Sequence, residues 1–286
     1  MPPLAHEIGG GRRPIGVTLD TIGVGVDWWV EGARRLEAAG YAGVWTWDHH
    51  ASRGRPKSVL EAWTTLTATA AVTRRIAVGT HVLNVANRHP ALLARMAATL
   101  QQVSNGRLAL GLGIGGSPSD VEPFGFEPLT TPERVARLEA TIGVLRALWT
   151  GEPVHLESGP FSLHGGRALP VPEPLPPIVI GAQSAAGARL AARLADGWST
   201  RPDLLARLLP VFEEALKDAG RTRAEVSILV GWEDGRSGED SLRESPWVDD
   251  PVATLGAWRD AGADGVILTA RTDADLAALV RAAERW

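Results

Sequence analysis

The chain has 286 residues, of which 44% are hydrophobic and 22% are charged, as in an ordinary globular protein with a substantial core. Its formal net charge of -4 and the lack of any dense patch of lysine and arginine argue against a nucleic-acid partner. The absence of cysteine excludes disulfides, thiolate catalysis and cysteine-ligated metal sites.

No apolar run reaches the length of about 18 residues that a membrane-spanning helix needs, so no membrane partner is predicted. Residues 1–13 lack the apolar core of a signal peptide. We therefore expect a flexible leader over residues 1–13, a single domain over residues 14–286 and a cytoplasmic location.

Strand and helix patterns alternate from residue 15 onward. In the first half, β-rich runs bounded by glycine or polar residues predict four strands, at 15–20, 43–47, 76–83 and 107–113. Apolar residues at helical spacing predict a helix after each strand. These helices are expected to begin at the caps Asp27 and Ser58, at Pro90 and at residue 132.

The second half repeats the alternation after an interruption. Residues 151–177 are rich in proline and glycine, and two short β-rich runs on either side of Ser158-Gly159-Pro160 predict an excursion hairpin. Residues 233–250 are predicted to be a polar loop. Strands are predicted at 178–180, 197–200, 227–231 and 265–269, and helices at 185–194, 203–219, 251–261 and 273–285.

Eight strands that alternate with eight helices imply right-handed crossovers and a parallel sheet. At this chain length the pattern predicts an α/β protein of the (β/α)8 TIM-barrel type, in preference to an open doubly wound sheet. Both architectures place ligands at the carboxyl ends of the strands, so the search for a site is the same for either.

The stretch from Gly106 to Ser117 joins a predicted strand to a glycine-rich exit. Leu108, Leu110 and Leu112 alternate with small residues, as in a strand covered on both faces. The glycines that follow allow the backbone to approach a flat or charged ligand closely, although glycine turns without a ligand are also common at strand ends. The match to a dinucleotide motif is weak, because Pro118, Asp120 and Glu122 follow it.

Asp48 and His49 come directly after the second predicted strand. A histidine at a strand end suits proton transfer near neutral pH, so His49 is the candidate acid or base. The competing interpretation makes Asp48 a cap and His49 and His50 surface residues. The chain has no nucleophile elbow, phosphate-binding lysine loop or histidine cluster with metal spacing, which favours a cofactor that carries the chemistry itself and predicts no metal.

A second candidate site runs from Gly181 to Gly187, where a short strand leads into a helix through small residues. This arrangement exposes the amides at a helix N-terminus and directs the positive end of the helix dipole toward the strand ends, which favours a phosphate group. The alternative is an ordinary helix cap by Ser184.

Seven short motifs occur in one order along the chain: residues 45–49 (WTWDH), 79–83 (GTHVL), 88–91 (RHPA), 104–108 (SNGRL), 111–115 (GLGIG), 177–181 (PIVIG) and 195–198 (ADGW). Together they resemble the luciferase-like monooxygenase superfamily, and within it the branch of oxidoreductases that depend on coenzyme F420. The resemblance extends from about residue 15 to residue 286.

The resemblance implies a barrel that binds reduced FMN or F420 at the carboxyl ends of its strands. It also implies a cis peptide bond between His81 and Val82, and it places His49 near the reacting part of the ring. The residues that match the family's cofactor contacts are Asp48, Thr80, His81, Val82, Asn84, Gly113, Ile114 and Gly115, with Gly181, Ala182, Gln183, Ser184 and Ala185 near the phosphate.

The pattern Gly-Thr-x-Val-Leu at residues 79–83 resembles deazaflavin-dependent members, and no insertion matches a luciferase-type lid, so F420 is expected rather than FMN. Hydride would move between C5 of the deazaflavin and a small organic substrate, with His49 handling the proton. Some deazaflavin dehydrogenases carry a glutamate where this chain has Gly116, which argues against a sugar-phosphate substrate. The alternatives are an FMN-dependent monooxygenase and a non-catalytic flavin-binding barrel; the family also implies a homodimer through the outer helices.

Overall fold

The computed structural model describes residues 13–52, 56–116, 121–231, 242 and 245–285. Within these residues eight parallel strands form a closed barrel surrounded by helices. The expected leader lies outside the described residues except for Arg13, where the first strand begins. The barrel strands are β1 (Arg13–Leu19), β2 (Tyr41–Thr46), β3 (Ala77–Thr80), β5 (Leu108–Gly113), β8 (Ile178–Gly181), β9 (Gly197–Thr200), β10 (Ser227–Gly231) and β11 (Gly265–Ala270).

The pairing order confirms the (β/α)8 barrel and rules out the open sheet. Strands pair in the order β3, β2, β1, β11, β10, β9, β8 and β5, and β5 returns to pair with β3, which closes the ring. A two-residue strand, β4 (Leu83–Asn84), continues the line of β3 and pairs with the upper part of β5. All of these pairs are parallel, so every carboxyl end lies at one mouth of the barrel.

Helices follow the barrel strands as the sequence predicts, and no helix of the described residues is long and apolar enough to cross a membrane. Leu108, Leu110 and Leu112 face these helices in the main core, as their alternation predicts. The helices are α1 (Val26–Ala39), α2 (Ala62–Val72), α3 (Pro90–Ser104), α4 (Thr131–Leu148), α5 (Ala185–Leu194), α6 (Pro202–Asp218), α7 (Pro246–Asp249), α8 (Pro251–Asp260) and α9 (Asp273–Ala283).

The predicted excursion hairpin is present outside the barrel. Its strands, β6 (Val154–Ser158) and β7 (Phe161–Gly166), are antiparallel, and Ser158 pairs with Phe161 across the turn. Phe161 is buried, and the Arg137 guanidinium of α4 lies 5.0 Å from the centre of its ring. The hairpin therefore packs on the outer helices through Phe161.

One large side chain fills much of the barrel interior. Trp45 packs there with small and aliphatic residues of four other strands. A Cβ atom at Gly16, Gly43 or Gly79 would lie 2.2, 2.9 or 2.4 Å from the indole of Trp45. Glycines on β1, β2 and β3 therefore make the room that this indole occupies.

Two predicted helix caps are wrong. Asp27 lies inside the first turn of α1, whose N-cap is Gly25 with no side-chain cap. Ser58 does not begin α2, because residues 58–60 are extended and pair with residues 21–23: Gly23 N donates to Ser58 O and Leu60 N donates to Thr21 O. The cap of α2 is Glu61, whose carboxylate accepts hydrogen bonds from Trp63 N and Thr64 N at 3.1 and 2.7 Å.

Two further expectations need correction. The single strand predicted over residues 76–83 is divided into β3 and β4, and the peptide bond between His81 and Val82 at the division is cis, as the resemblance implies. The segment predicted to be a polar loop over residues 233–250 lies mostly outside the described residues. Its described end forms α7, where Trp247 is fully buried.

Candidate active site

The carboxyl end of β2 is fixed by Asp48, whose side chain is almost fully buried. Its Oδ2 accepts hydrogen bonds from Asn84 N at 3.1 Å, Asn87 Nδ2 at 2.9 Å and Arg88 Nη1 at 2.8 Å, and its Oδ1 accepts one from Arg88 Nη2 at 3.1 Å. Glu61 contacts the same guanidinium. Asp48 therefore joins β2 to β4 and to the segment that leads into α3, while its predicted contact with a cofactor stays a prediction.

His49 is exposed at the same strand end, beside Trp47, as the competing interpretation of it as a surface residue expects. The two rings are 5.7 Å apart between centroids in an edge-to-face arrangement. The Arg271 guanidinium, at the end of β11, lies 5.5 Å from the centre of the Trp47 ring. The predicted acid or base is thus held beside an indole that also contacts the last strand of the barrel.

His50 is not the simple surface residue that the sequence suggests. Its ring lies 5.3 Å from that of Phe124 and 5.0 Å from that of Phe126, in the segment that follows β5. Its Nε2 is buried without a hydrogen-bond partner among the described residues. The aromatic contacts explain the burial, and they attach this segment to the exit of β2.

The division between β3 and β4 forms a bulge, defined here as residues 80–84. Thr80 Oγ1 donates to Gly111 O at 2.7 Å, and His81 N donates to Thr46 O at 2.8 Å. The His81 side chain is partly buried, and its Nε2 lies 2.8 Å from Ser199 Oγ. Burial lowers the pKa of His81 to about 4, so this ring is neutral at pH 7.

The glycines of β5 and β8 make room for this bulge. A Cβ atom at Gly111 would lie 1.8 Å from Thr80 O, and one at Gly113 or Gly181 would lie 2.5 or 2.9 Å from a methyl group of Val82. From the sequence, the glycines of β5 are expected to let a ligand approach the backbone. Their close neighbours are instead the backbone of Thr80 and the side chain of Val82, which enter from the adjacent strand.

The exit of β5 carries the remaining glycine of the predicted set. Gly115 has a φ of +81°, and a Cβ atom there would lie 2.5 Å from Asn84 Oδ1. Asn84 Oδ1 also accepts a hydrogen bond from Ala86 N at 2.9 Å. Gly115 and Asn84 are thus neighbours, with the half-buried Ile114 beside them, while Ser117 lies outside the described residues.

The start of α5 is the second predicted site. Ser184 caps this helix by accepting a hydrogen bond from Gly187 N at 3.2 Å, and Ala182 N donates to Ser199 O. The cap is therefore confirmed, and the amides of Ala185 and Ala186 have no acceptor within the helix. Gln183 and Ser184 are exposed beside them.

The structure brings most of the predicted cofactor residues together. Val82 lies close to both Gly113 and Gly181, so the bulge adjoins the strand that leads into α5. Sequence reasoning missed Trp47, Arg88 and Arg271 as functional neighbours, although Trp47 and Arg88 occur in the quoted motifs. Across the described parts of the chain, no group of histidine, aspartate and glutamate side chains is arranged to hold a metal ion.

Comparison with known proteins agrees with this geometry. Residues 15–232 match the family model described as luciferase-like monooxygenase. The F420-dependent glucose-6-phosphate dehydrogenase of Microbacterium testaceum is 39% identical over 171 residues, which are 58% of this chain and 51% of that protein. The F420-dependent hydroxymycolic acid dehydrogenase of Mycobacterium tuberculosis is 32% identical over 232 residues, or 77% of this chain and 63% of that protein.

The matches to these curated relatives thus span about half to two thirds of their length. Among solved structures, an F420-dependent secondary alcohol dehydrogenase in complex with an F420-acetone adduct superposes with a TM-score of 0.81. That comparison covers 94% of this chain and 97% of the other at 19% identity, which supports the fold. The ordered motifs, the closed barrel and the match over residues 15–232 establish that the chain belongs to the luciferase-like monooxygenase family.

Proposed function

We propose that this protein is an F420-dependent oxidoreductase that moves a hydride between C5 of the deazaflavin and a small organic substrate. The observation that carries the proposal is the contact of Val82 with Gly113 and Gly181 at the mouth of the barrel. The printed names of the curated relatives, which include F420-dependent dehydrogenases, favour the deazaflavin over FMN.

The residues at the mouth fit a tricyclic ring with a phosphate on its tail. Val82 offers an apolar surface between two strands whose facing positions are glycine, which lets this side chain lie close to both strands. The amides at the start of α5 offer donors to an anion, and the helix dipole adds to the attraction. A flat ring on the bulge and a phosphate near Ser184 would thus occupy adjacent parts of the mouth.

The bound deazaflavin would supply or accept the hydride, which leaves proton transfer and positioning to the protein. His49 would hold or take the proton, since imidazole exchanges protons readily near neutral pH. The contact with Trp47 limits how the imidazole can turn. Asp48 and Arg88 act on His49 indirectly, because their ion pair fixes the exit of β2 against the bulge.

The sugar phosphate in the name of the Microbacterium testaceum relative is not proposed as the substrate of this chain. Gly116 stands where some deazaflavin dehydrogenases have a glutamate, and its carbonyl oxygen accepts a hydrogen bond from Arg134. We therefore propose a small carbonyl, alkene or imine compound, or its reduced form, in place of a sugar phosphate.

The experiment is a paired titration of the purified protein with F420 and with FMN, followed by cofactor fluorescence. Tight binding of F420 with weak binding of FMN is the expected result. The reverse would support an FMN-dependent monooxygenase that uses reduced flavin and oxygen. If neither cofactor binds, the proposed function is wrong.

A further inference from the structure

A cavity opens at the mouth of the barrel, between the ends of β1 and β11. Its volume is about 610 Å³, and its walls include Asp20, Ile22, Val24, Lys57 and Arg271. None of these residues belongs to the bulge or to the start of α5. The cavity therefore lies beside the proposed cofactor site and is large enough for part of a small organic molecule.

The charges on the cavity walls favour an anion. Lys57 and Arg271 contribute two positive charges, and Asp20 contributes one negative charge. The Asp20 carboxylate accepts a hydrogen bond from Ile22 N at 2.9 Å and lies 3.7 Å from Arg271 Nε. The nearby carboxylate of Asp275 is buried and accepts hydrogen bonds from the amides of Arg271 and Thr272 at the start of α9.

Lys57 is placed at this wall by the backbone of the neighbouring segment. Gly23 has a φ of +76°, and a Cβ atom there would lie 3.2 Å from Lys57 Cδ. The aliphatic stem of Lys57 thus crosses over Gly23, and its ammonium group reaches the cavity. Ile22 and Val24 add an apolar part to the same wall.

Trp47 connects the cavity to the proposed reaction centre. Arg271 lies over the Trp47 ring, and the same ring contacts His49. A molecule held by Arg271 would therefore have its other end within reach of the His49 side of the mouth. We propose that this cavity is the substrate's anion subsite and that the substrate carries a carboxylate or a phosphate group. The inference rests on the proposed function.

The test measures anion binding directly. Sodium acetate and inorganic phosphate are titrated into the protein by calorimetry at low ionic strength, with and without saturating F420. Removal of one cation by Lys57→Gln is expected to weaken binding about tenfold, because the favourable Coulomb interaction is lost. Arg271→Gln is expected to act similarly, whereas Lys217→Gln, a change on the outer helix α6, should leave the affinity unchanged. The anion that binds more tightly identifies the substrate group as a carboxylate or a phosphate.

Three results would overturn the inference: no binding of either anion, equal binding by wild type and Lys57→Gln, or loss of anion binding when F420 is added. The last result would assign the cavity to the cofactor. Because Lys57 is exposed, Lys57→Gln is expected to fold even if Arg271→Gln does not. If the anion binds in a Lys57-dependent manner but F420 does not bind, the cofactor assignment fails while the anion site stands.

Discussion

The Arg88 guanidinium holds the Asp48 carboxylate with two hydrogen bonds, from Nη1 to Oδ2 at 2.8 Å and from Nη2 to Oδ1 at 3.1 Å. The two residues are 40 positions apart in sequence and both are largely buried. Through this pair the end of β2, the bulge and the start of α3 form one connected unit. The position of His49, the next residue after Asp48, depends on that unit.

Replacement of Arg88 by methionine should lower the free energy of unfolding by about 3 kcal/mol, because it leaves the buried Asp48 carboxylate without its cationic partner. Urea denaturation measures the change. The matched control is Arg201→Met, which breaks a more exposed ion pair with Asp203 and should cost less than about 1 kcal/mol. Similar losses in the two variants would contradict the positioning role of Arg88.

Because Val82 packs against Gly113, a larger residue at position 113 should be tolerated better when the residue at position 82 is smaller. Gly113→Ala should lower the free energy of unfolding by about 2 kcal/mol, because the new methyl group would lie 2.5 Å from Val82 Cγ2. Adding Val82→Ala should recover more than about 1 kcal/mol of that loss, measured as the coupling energy of a double-mutant cycle.

A control for that cycle is Gly256→Ala in α8, where an added Cβ atom would meet nothing within 4 Å. This change should stabilise the protein by up to about 1 kcal/mol, since alanine has the higher helix propensity. Purely additive effects of Gly113→Ala and Val82→Ala would show that the two side chains do not compete for the same space.

Burial of His81 predicts a pH dependence of stability. Its pKa is lowered from 6.5 to about 4 in the folded protein, so as pH falls below about 6.5 protons bind the unfolded chain first. Between pH 7 and pH 5 the wild type should lose about 2 kcal/mol more stability than His81→Gln. Ser199→Ala, which keeps the imidazole, should retain most of the wild-type slope. Parallel curves for wild type and His81→Gln would mean that this histidine is not neutral in the fold.

Substitution of His49 distinguishes an enzyme from a non-catalytic cofactor carrier. His49→Ala should reduce turnover by about 100-fold or more, the usual contribution of a general acid or base, while the dissociation constant for F420 stays within about threefold. His155→Ala, on the exposed face of the hairpin, serves as the control and should change neither quantity. Unchanged turnover in His49→Ala would remove this residue from the chemistry, and a protein that binds cofactor without any turnover would be a carrier.

The architecture of the barrel was predictable because each element depends on local pattern. The alternation of leucine with small residues in β5 and the small residues before α5 identify a buried strand and a helix start without knowledge of their neighbours. The wrong cap at Ser58 shows the limit of local reasoning. Its segment is extended because it pairs with residues 21–23, a contact that local composition does not encode.

The site was predictable only in part for the same reason. In the sequence, Gly111 and Gly113 indicate that some group approaches this strand closely. That group belongs to the preceding strand, which the sequence alone does not reveal. Asp48 could be placed at a strand end, whereas its partner Arg88 becomes a neighbour only after the barrel closes. The arrangement of Trp47 with both His49 and Arg271 likewise requires the pairing of the first and last strands.

The indole of Trp45 and the three glycines around it place an unusual restriction on how this barrel can diverge. Each of Gly16, Gly43 and Gly79 would collide with the indole if it gained a side chain, and loss of the indole would leave a void that none of the three could fill alone. Descendants of this chain can therefore exchange Trp45 only together with at least one of these glycines. In an alignment of its relatives, Trp45, Gly16 and Gly43 should vary as a set, whereas Gly79 should stay glycine because a Cβ atom there would also lie 2.9 Å from Ala109 O.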